Sequence, residues 1–280
     1  MSSDTEFEAT VQRHWFSAAA GTLLQRIDAG LVASGIDPQN VTFDDLSPVD
    51  EFHVRGREAT GELAELAAFT TDDLILDAGS GLGGPSRYVA SQCGCRVTGI
   101  DLTAEYCQVA TELARRVGLS ERVEYRQGNA LHLPFENDVF DGGWTQHISM
   151  NIPDKRAFFG EMARVVKPGG RLAIYDPIRG EGEEIRLPVP WARSPDMSFL
   201  IGAAETRDVL SACGLRIQEW RDVTQKAVDW FEARAAAAGG PAPELGLHLL
   251  LGEDWPAMAQ NMVENLRTGR ITMMQAIAIV

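Results

Sequence analysis

Residues 76–83 read Leu-Asp-Ala-Gly-Ser-Gly-Leu-Gly, a run that leaves few folds open. It grows out of the apolar stretch Leu74-Ile75-Leu76, which reads as a buried strand. Asp77 ends that strand, and Gly79, Gly81 and Gly83 then fall at alternate positions. Glycines so spaced let the backbone turn tightly and come close to a ligand. Eighteen residues after Gly83, a second apolar stretch, Arg96-Val97-Thr98-Gly99-Ile100, ends in Asp101. An acid at the tip of a second strand can accept both ribose hydroxyls of an adenosine. The expectation is a small adenosine-containing ligand held at the carboxyl ends of parallel strands.

The rest of the chain supports such a sheet. Val11, Trp15, Ala19, Leu23, Leu24, Ile27 and Leu31 recur at helical spacing over 11–35, and Gly35 and Pro38 stop that helix. Residues 36–54, with Pro38, Asn40, Ser47 and Pro48, read as a loop, and a second helix follows over about 56–69. Strands and helices then alternate: strand 74–78, helix 84–92, strand 95–100, helix 104–117, strands 122–127 and 139–145, helix 155–166 and strand 171–177. Alternation of this kind predicts a doubly wound, mostly parallel α/β sheet. Residues 181–203 break the rhythm with Pro188, Pro190 and Pro195, a stretch long enough to read as a lid. A helix at 204–213, a strand at 216–223, a helix carrying Trp230 and Phe231, and a linker at 235–243 come next. Residues 271–280 make a final strand. The division is a helical cap over 1–70 and an α/β domain over 71–280 with its lid insertion.

Composition narrows the partners. A net charge of −15 argues against nucleic acid or an anionic membrane surface, because phosphates demand basic surface. Cys93, Cys95, Cys107 and Cys213 make no disulfide framework, and Cys93-Gly94-Cys95 is not a C-x-x-C redox motif. The five histidines, at 14, 53, 132, 147 and 248, show no metal-ligand spacing. There is no apolar run of membrane-spanning length and no signal-peptide pattern, so the expectation is a cytoplasmic protein without a membrane partner. Oligomeric state is not readable.

Gly79, Gly81 and Gly84 also satisfy G-x-G-x-x-G, which keeps a nicotinamide-dependent oxidoreductase open as an alternative. A carboxylate at Asp77, however, suits an ammonium-bearing ligand better than a pyrophosphate. Further on, Phe140-Asp141-Gly142-Gly143-Trp144 looks like a fourth strand. Val165-Val166-Lys167-Pro168-Gly169-Gly170-Arg171-Leu172 looks like a helix end, a turn and a strand start. Together these resemble the class I S-adenosylmethionine-dependent methyltransferases over roughly residues 60–225. The resemblance implies a seven-stranded, Rossmann-like sheet with an antiparallel last strand. It implies S-adenosyl-L-methionine as cofactor and S-adenosyl-L-homocysteine as product. Asp77 and Gly79 would meet the methionine end, Asp101 the ribose and Leu102 the adenine. Gly128-Asn129-Ala130 falls where the family usually has Gly-Asp-Ala. Asn129 can accept from the adenine amino group beside Ala130, or it makes an Asx turn.

The run Trp144-Thr145-Gln146-His147-Ile148-Ser149-Met150-Asn151 resembles that of the sarcosine/dimethylglycine-type and ubiquinone/menaquinone-type small-molecule methyltransferases. The resemblance puts this run between cofactor and acceptor, with Gln146 beside the methionine moiety. His147 is then the candidate base, since imidazole titrates near neutral pH. It can equally be a hydrogen-bonded wall residue. Met150 and Asn151 are acceptor-side candidates. The run Glu51-Phe52-His53-Val54-Arg55-Gly56-Arg57-Glu58 adds His53 and Arg57. Trp15, Phe16, Trp191, Met197 and Phe199 are candidate pocket walls or ordinary core. The acceptor atom, nitrogen, oxygen or carbon, stays open. So does a cofactor-binding regulator that does no chemistry.

Overall fold

The computed structural model describes residues 21–237 and 243–280. Trp15, Phe16 and the first half of the 11–35 helix lie outside them. Among the described residues three helices precede the sheet: α1 (Leu23–Ala33), α2 (Phe43–Asp50) and α3 (Gly56–Ala67). Thr22 and Gln25 cap α1 reciprocally, which satisfies donors the first turn leaves open. Leu23, Ile27 and Leu31 are its buried face.

Helix α2 corrects the loop reading of 36–54. Thr42 and Asp45 form a capping box that starts it. Pro48 inside it removes the N–H that would bond the Asp44 carbonyl. The Ser47 hydroxyl donates to that carbonyl instead, at 3.0 Å. One side chain thus repairs the ladder that the proline breaks.

Strand β1 (Leu74–Ala78) leads into α4 (Gly84–Cys93), β2 (Arg96–Asp101), α5 (Ala104–Arg116) and β3 (Val123–Gln127). Then come β4 (Phe140–Gln146), α6 (Lys155–Val165), β5 (Val166–Arg179), α7 (Ala203–Ala212), β6 (Arg216–Asp222) and α8 (Thr224–Ala237). Helices α9 (His248–Leu251) and α10 (Trp255–Arg267) precede β7 (Ile271–Ile279). The seven strands lie in the order β3-β2-β1-β4-β5-β7-β6. The pairs from β3 across to β5 are parallel, while β7 runs antiparallel to both of its neighbours. The chain reverses its winding between β1 and β4. That switch point opens a crevice outside the carboxyl ends of the strands, where open α/β sheets bind ligands.

Apolar clusters cover both sheet faces, one around Leu63, Val89 and Trp144, the other around Phe158, Met162 and Leu172. A third joins α1 and α2 to Leu113 of α5 and to Leu245, Leu250 and Met258. A buried ion pair, Arg87 to Asp50 at 2.5 Å, also ties α2 to α4. The N-terminal helices are therefore built into the rim of the crevice. Among the described residues no helix is long and apolar enough to cross a membrane.

Candidate active site

A cavity of about 1030 Å³ lies at the switch point. Ligand pockets typically measure about 300–1,000 Å³, so there is room for two small ligands side by side. One end is the glycine turn. Gly79 has φ +78°, and a Cβ there would lie 2.5 Å from Ile148 Cδ1. Gly81 has φ +52°, and its Cβ would lie 2.5 Å from Phe52 Cζ. Both positions demand glycine for conformation and for space. The space at Gly81 is taken by an aromatic ring of the α2–α3 link. Gly79 and Gly81 line the cavity. Gly83 faces away from it, against the Tyr125 ring.

Asp101 lines the cavity at the tip of β2. Its Oδ2 accepts the Gly81 N–H at 2.9 Å and its Oδ1 the Thr103 N–H at 2.8 Å. A carboxylate has about four acceptor sites, so lone pairs remain for a diol. Burial raises the Asp101 carboxyl above its ordinary range, against these two backbone donors. Asp77, 2 % exposed, accepts from the Ser86 hydroxyl at 2.5 Å. Burial, opposed by that bond and helped by the charges of Asp101 and Glu51, pushes Asp77 up to about 7. A buried acid poised there favours a cation. Leu102, Asn129 and Ala130 line the same end. Asn129 Oδ1 accepts the Leu131 N–H at 2.8 Å, which is the Asx turn.

The middle of the cavity is the strand end 146–148. Gln146 Oε1 accepts from Trp144 Nε1 at 3.0 Å, which fixes the amide orientation. Gln146 Nε2 is then a buried donor without a protein partner. His147 has φ +53°, a left-handed backbone on a residue that carries a Cβ. Its N–H donates to the Tyr175 carbonyl at 2.8 Å, and its Nε2 is buried and unpartnered. Burial first, then the charge of His53, pushes His147 well below 6.5. The near-neutral titration expected of His147 from its residue type is therefore corrected: this imidazole stays neutral. Beneath it, Asp176 Oδ1 accepts the Ile148 N–H at 3.0 Å.

On the cap side, Glu51 collects three donors: His53 Nε2 at 3.0 Å, Thr60 Oγ1 at 2.7 Å and Arg57 Nε at 2.6 Å. Arg57 is thus paired rather than a free cation. Glu51 belonged to a run the sequence singled out, yet residue type alone did not mark it as a buried hub. On the opposite wall, Asn151 donates to the carbonyls of Trp191 (2.8 Å) and Met197 (3.1 Å). Its amide hydrogens hold the 181–203 segment in place, and Trp191, 1 % exposed, lines the cavity beside Met150. Trp230, Phe231, Leu245, His248 and Trp255 complete the apolar wall. Sequence reading did not put these five in the site, because distant segments of the chain bring them there.

Residues 76–174 match the methyltransferase domain family. The chain is similar to the methyltransferase GfsG of Streptomyces halstedii, 34 % identical over 146 residues, which is 52 % of each protein. It is similar also to the glycine/sarcosine/dimethylglycine N-methyltransferase of Actinopolyspora halophila, 26 % identical over 64 % of this chain and 32 % of that protein. The matches span about half or less of these relatives. Among solved structures, the geranyl diphosphate C-methyltransferase of Streptomyces coelicolor A3(2) superposes with a TM-score of 0.68 at 18 % identity. That superposition covers 98 % of this chain and 97 % of the other, which was solved with Mg2+, geranyl diphosphate and S-adenosyl-L-homocysteine. Residues 76–174 are thus a methyltransferase domain, and the chain as a whole shares its fold with an S-adenosylmethionine-dependent methyltransferase.

Proposed function

We propose that the protein transfers a methyl group from S-adenosyl-L-methionine to a small, largely apolar acceptor. The observation that carries this reading is one continuous cavity joining the Asp77–Asp101 end to the walls formed by Trp191, Trp230 and Trp255. Asp101 would hold the ribose diol, Leu102 and the 128–130 turn the adenine, and Asp77, with Gly79 and Gln146, the methionine end. The residues present fit that group. A poised buried acid awaits the ammonium, and the orphan Gln146 amide suits a carboxylate. When bound, the sulfonium supplies an electrophilic methyl carbon. The chain's part is to align the acceptor with it, and orientation of that kind is worth about 7–11 kcal/mol.

His147, neutral and with Nε2 unpartnered, is assigned to hydrogen-bond the acceptor, with Met150 packing beside it. Residues 181–203, held by Asn151, form the acceptor wall. Arg55 and Arg57 are paired with Glu62 and Glu51, which favours an uncharged acceptor over the diphosphate of the structural neighbour. The aromatic walls likewise disfavour glycine-like acceptors. A cytoplasmic setting belongs to the same reading, supported by four free cysteines. The test is incubation with labelled methyl donor and two acceptor panels. Transfer to apolar alcohols, phenols or amines and none to glycine or sarcosine is expected, and the reverse preference contradicts the reading.

A further inference from the structure

Resting on that reading, we propose that Asp176 is a positioning residue of the methyl-transfer site, which seats Ile148 on the glycine turn and aims His147 into the cavity through the Ile148 amide. Asp176 is fully buried in β5 and is not among the residues that line the cavity, so it acts through its neighbours. The sheet register brings it there: Gln146, the last residue of β4, lies opposite Tyr175. Beyond Gln146 the chain turns out of the sheet at His147, with φ +53°. A residue with a Cβ keeps such a backbone only where its surroundings impose it. Two consecutive bonds from β5 do so. The His147 N–H donates to the Tyr175 carbonyl at 2.8 Å, and the Ile148 N–H to Asp176 Oδ1 at 3.0 Å. The first is a main-chain bond that any residue at 175 supplies. The second needs a side chain that carries an acceptor oxygen.

A single 3-10 turn, Ser149–Asn151, follows. Lys155, 6 % exposed, holds its far end, where Nζ donates to the carbonyls of Ser149 and Ile152. The open backbone groups at both ends of this short segment thus meet the charge they favour. Burial pushes the Asp176 carboxyl up to about 7, against the Ser149 hydroxyl, the Ile148 amide and the charge of Lys155. Burial lowers Lys155 to about 8, against the charges of Asp176 and Glu205. Buried opposite charges add little stability over apolar residues of the same volume, so what this pair supplies is a fixed backbone path. That path carries His147, Ile148, Met150 and Asn151 to the cavity.

The effect at the site is steric. Ile148 Cδ1 lies 2.5 Å from where a Cβ on Gly79 would be, so Ile148 covers the glycine turn at the end assigned to the methionine moiety. Gln146 and His147 directly precede it. Without the Asp176 oxygen the Ile148 amide loses its partner and the cover is free to shift. A misplacement of about 1 Å can cost 10²-fold.

Calorimetry of the full-length protein with S-adenosylhomocysteine tests this in Asp176→Ala, Asp176→Asn and Leu210→Ala. Asp176→Ala should weaken binding by about tenfold or more. Asp176→Asn keeps an acceptor oxygen and should bind within about threefold of wild type. Leu210 is buried in α7 and does not line the cavity. Leu210→Ala should lose stability and still bind as wild type, which separates positioning from a plain loss of stability. Wild-type affinity in Asp176→Ala, or equal losses in the alanine and asparagine variants, overturns the proposal. If Asp176→Ala does not fold, NMR of the wild type decides. The Ile148 amide proton should move together with the Asp176 carboxyl carbon as pH passes through about 7. An amide that ignores that titration overturns the bond on which the positioning rests. No binding by the wild type removes the methyl-transfer reading, whereas wild-type binding undiminished in Asp176→Ala removes only the positioning role.

Discussion

Asp77 shows how one buried carboxyl couples pH to ligand affinity. Its folded value, raised to about 7 chiefly by burial, leaves it largely protonated below that pH. An ammonium group favours the ionised form, so binding must expel the proton when pH is low. The affinity for S-adenosylhomocysteine should therefore rise as pH increases through about 7 and level off above it. Calorimetry in buffers of different ionisation heat should detect a released proton at pH 6, and Asp77→Asn should flatten the dependence. Asp101 carries a different load. Its two oxygens brace the Gly81 and Thr103 amides, so it shapes the turn in addition to the ribose role proposed for it. Asp101→Ala should weaken S-adenosylhomocysteine by about 1.5–3 kcal/mol in calorimetry, since charged hydrogen-bond acceptors are lost. His147, held neutral, should contribute to KM rather than to a titrating limb of kcat. His147→Asn kinetics followed against pH would check this: a limb lost near 6.5 would return the base role to His147.

The elements differ in how openly the sequence declares them. The β1 turn is legible because its signals are local: a buried strand, an acid and three alternating glycines within eight residues. The companion acid Asp101 follows from the same period. Helix α2 was hidden because it is short and holds Pro48, and only the Ser47 bond shows how the proline is tolerated. The acceptor wall was hidden for another reason. Trp230 and Trp255 sit on helices far along the chain, and only tertiary packing brings them to Trp191. The partner of Gly81 belongs to this class too, since Phe52 rather than a ligand fills the space beside it. Gly81→Ala should therefore cost about 1–3 kcal/mol of stability through overpacking. Adding Phe52→Ala should recover part of that loss in denaturant melts, and no recovery would mean the left-handed backbone dominates. Asn151→Ala should free the 181–203 wall, cost about 1–3 kcal/mol and raise KM for the acceptor more than it lowers kcat. Equilibrium unfolding together with initial-rate kinetics measures both.

For the whole molecule, strand order decides where chemistry can occur. The reversal of winding between β1 and β4 opens one crevice, and the N-terminal helices, the 181–203 segment and α8–α10 roof it. The polar end of that crevice carries the Asp77–Asp101 pair, and the far end is aromatic. On the proposed function, the polar end is built for S-adenosylmethionine and not for a dinucleotide. Calorimetric titration of the full-length protein with S-adenosylhomocysteine and, separately, with NAD tests it most directly. One-to-one binding of S-adenosylhomocysteine, lost or sharply weakened in Asp101→Ala, is expected, with no heat from NAD. Saturable binding of NAD, with S-adenosylhomocysteine silent, would contradict it.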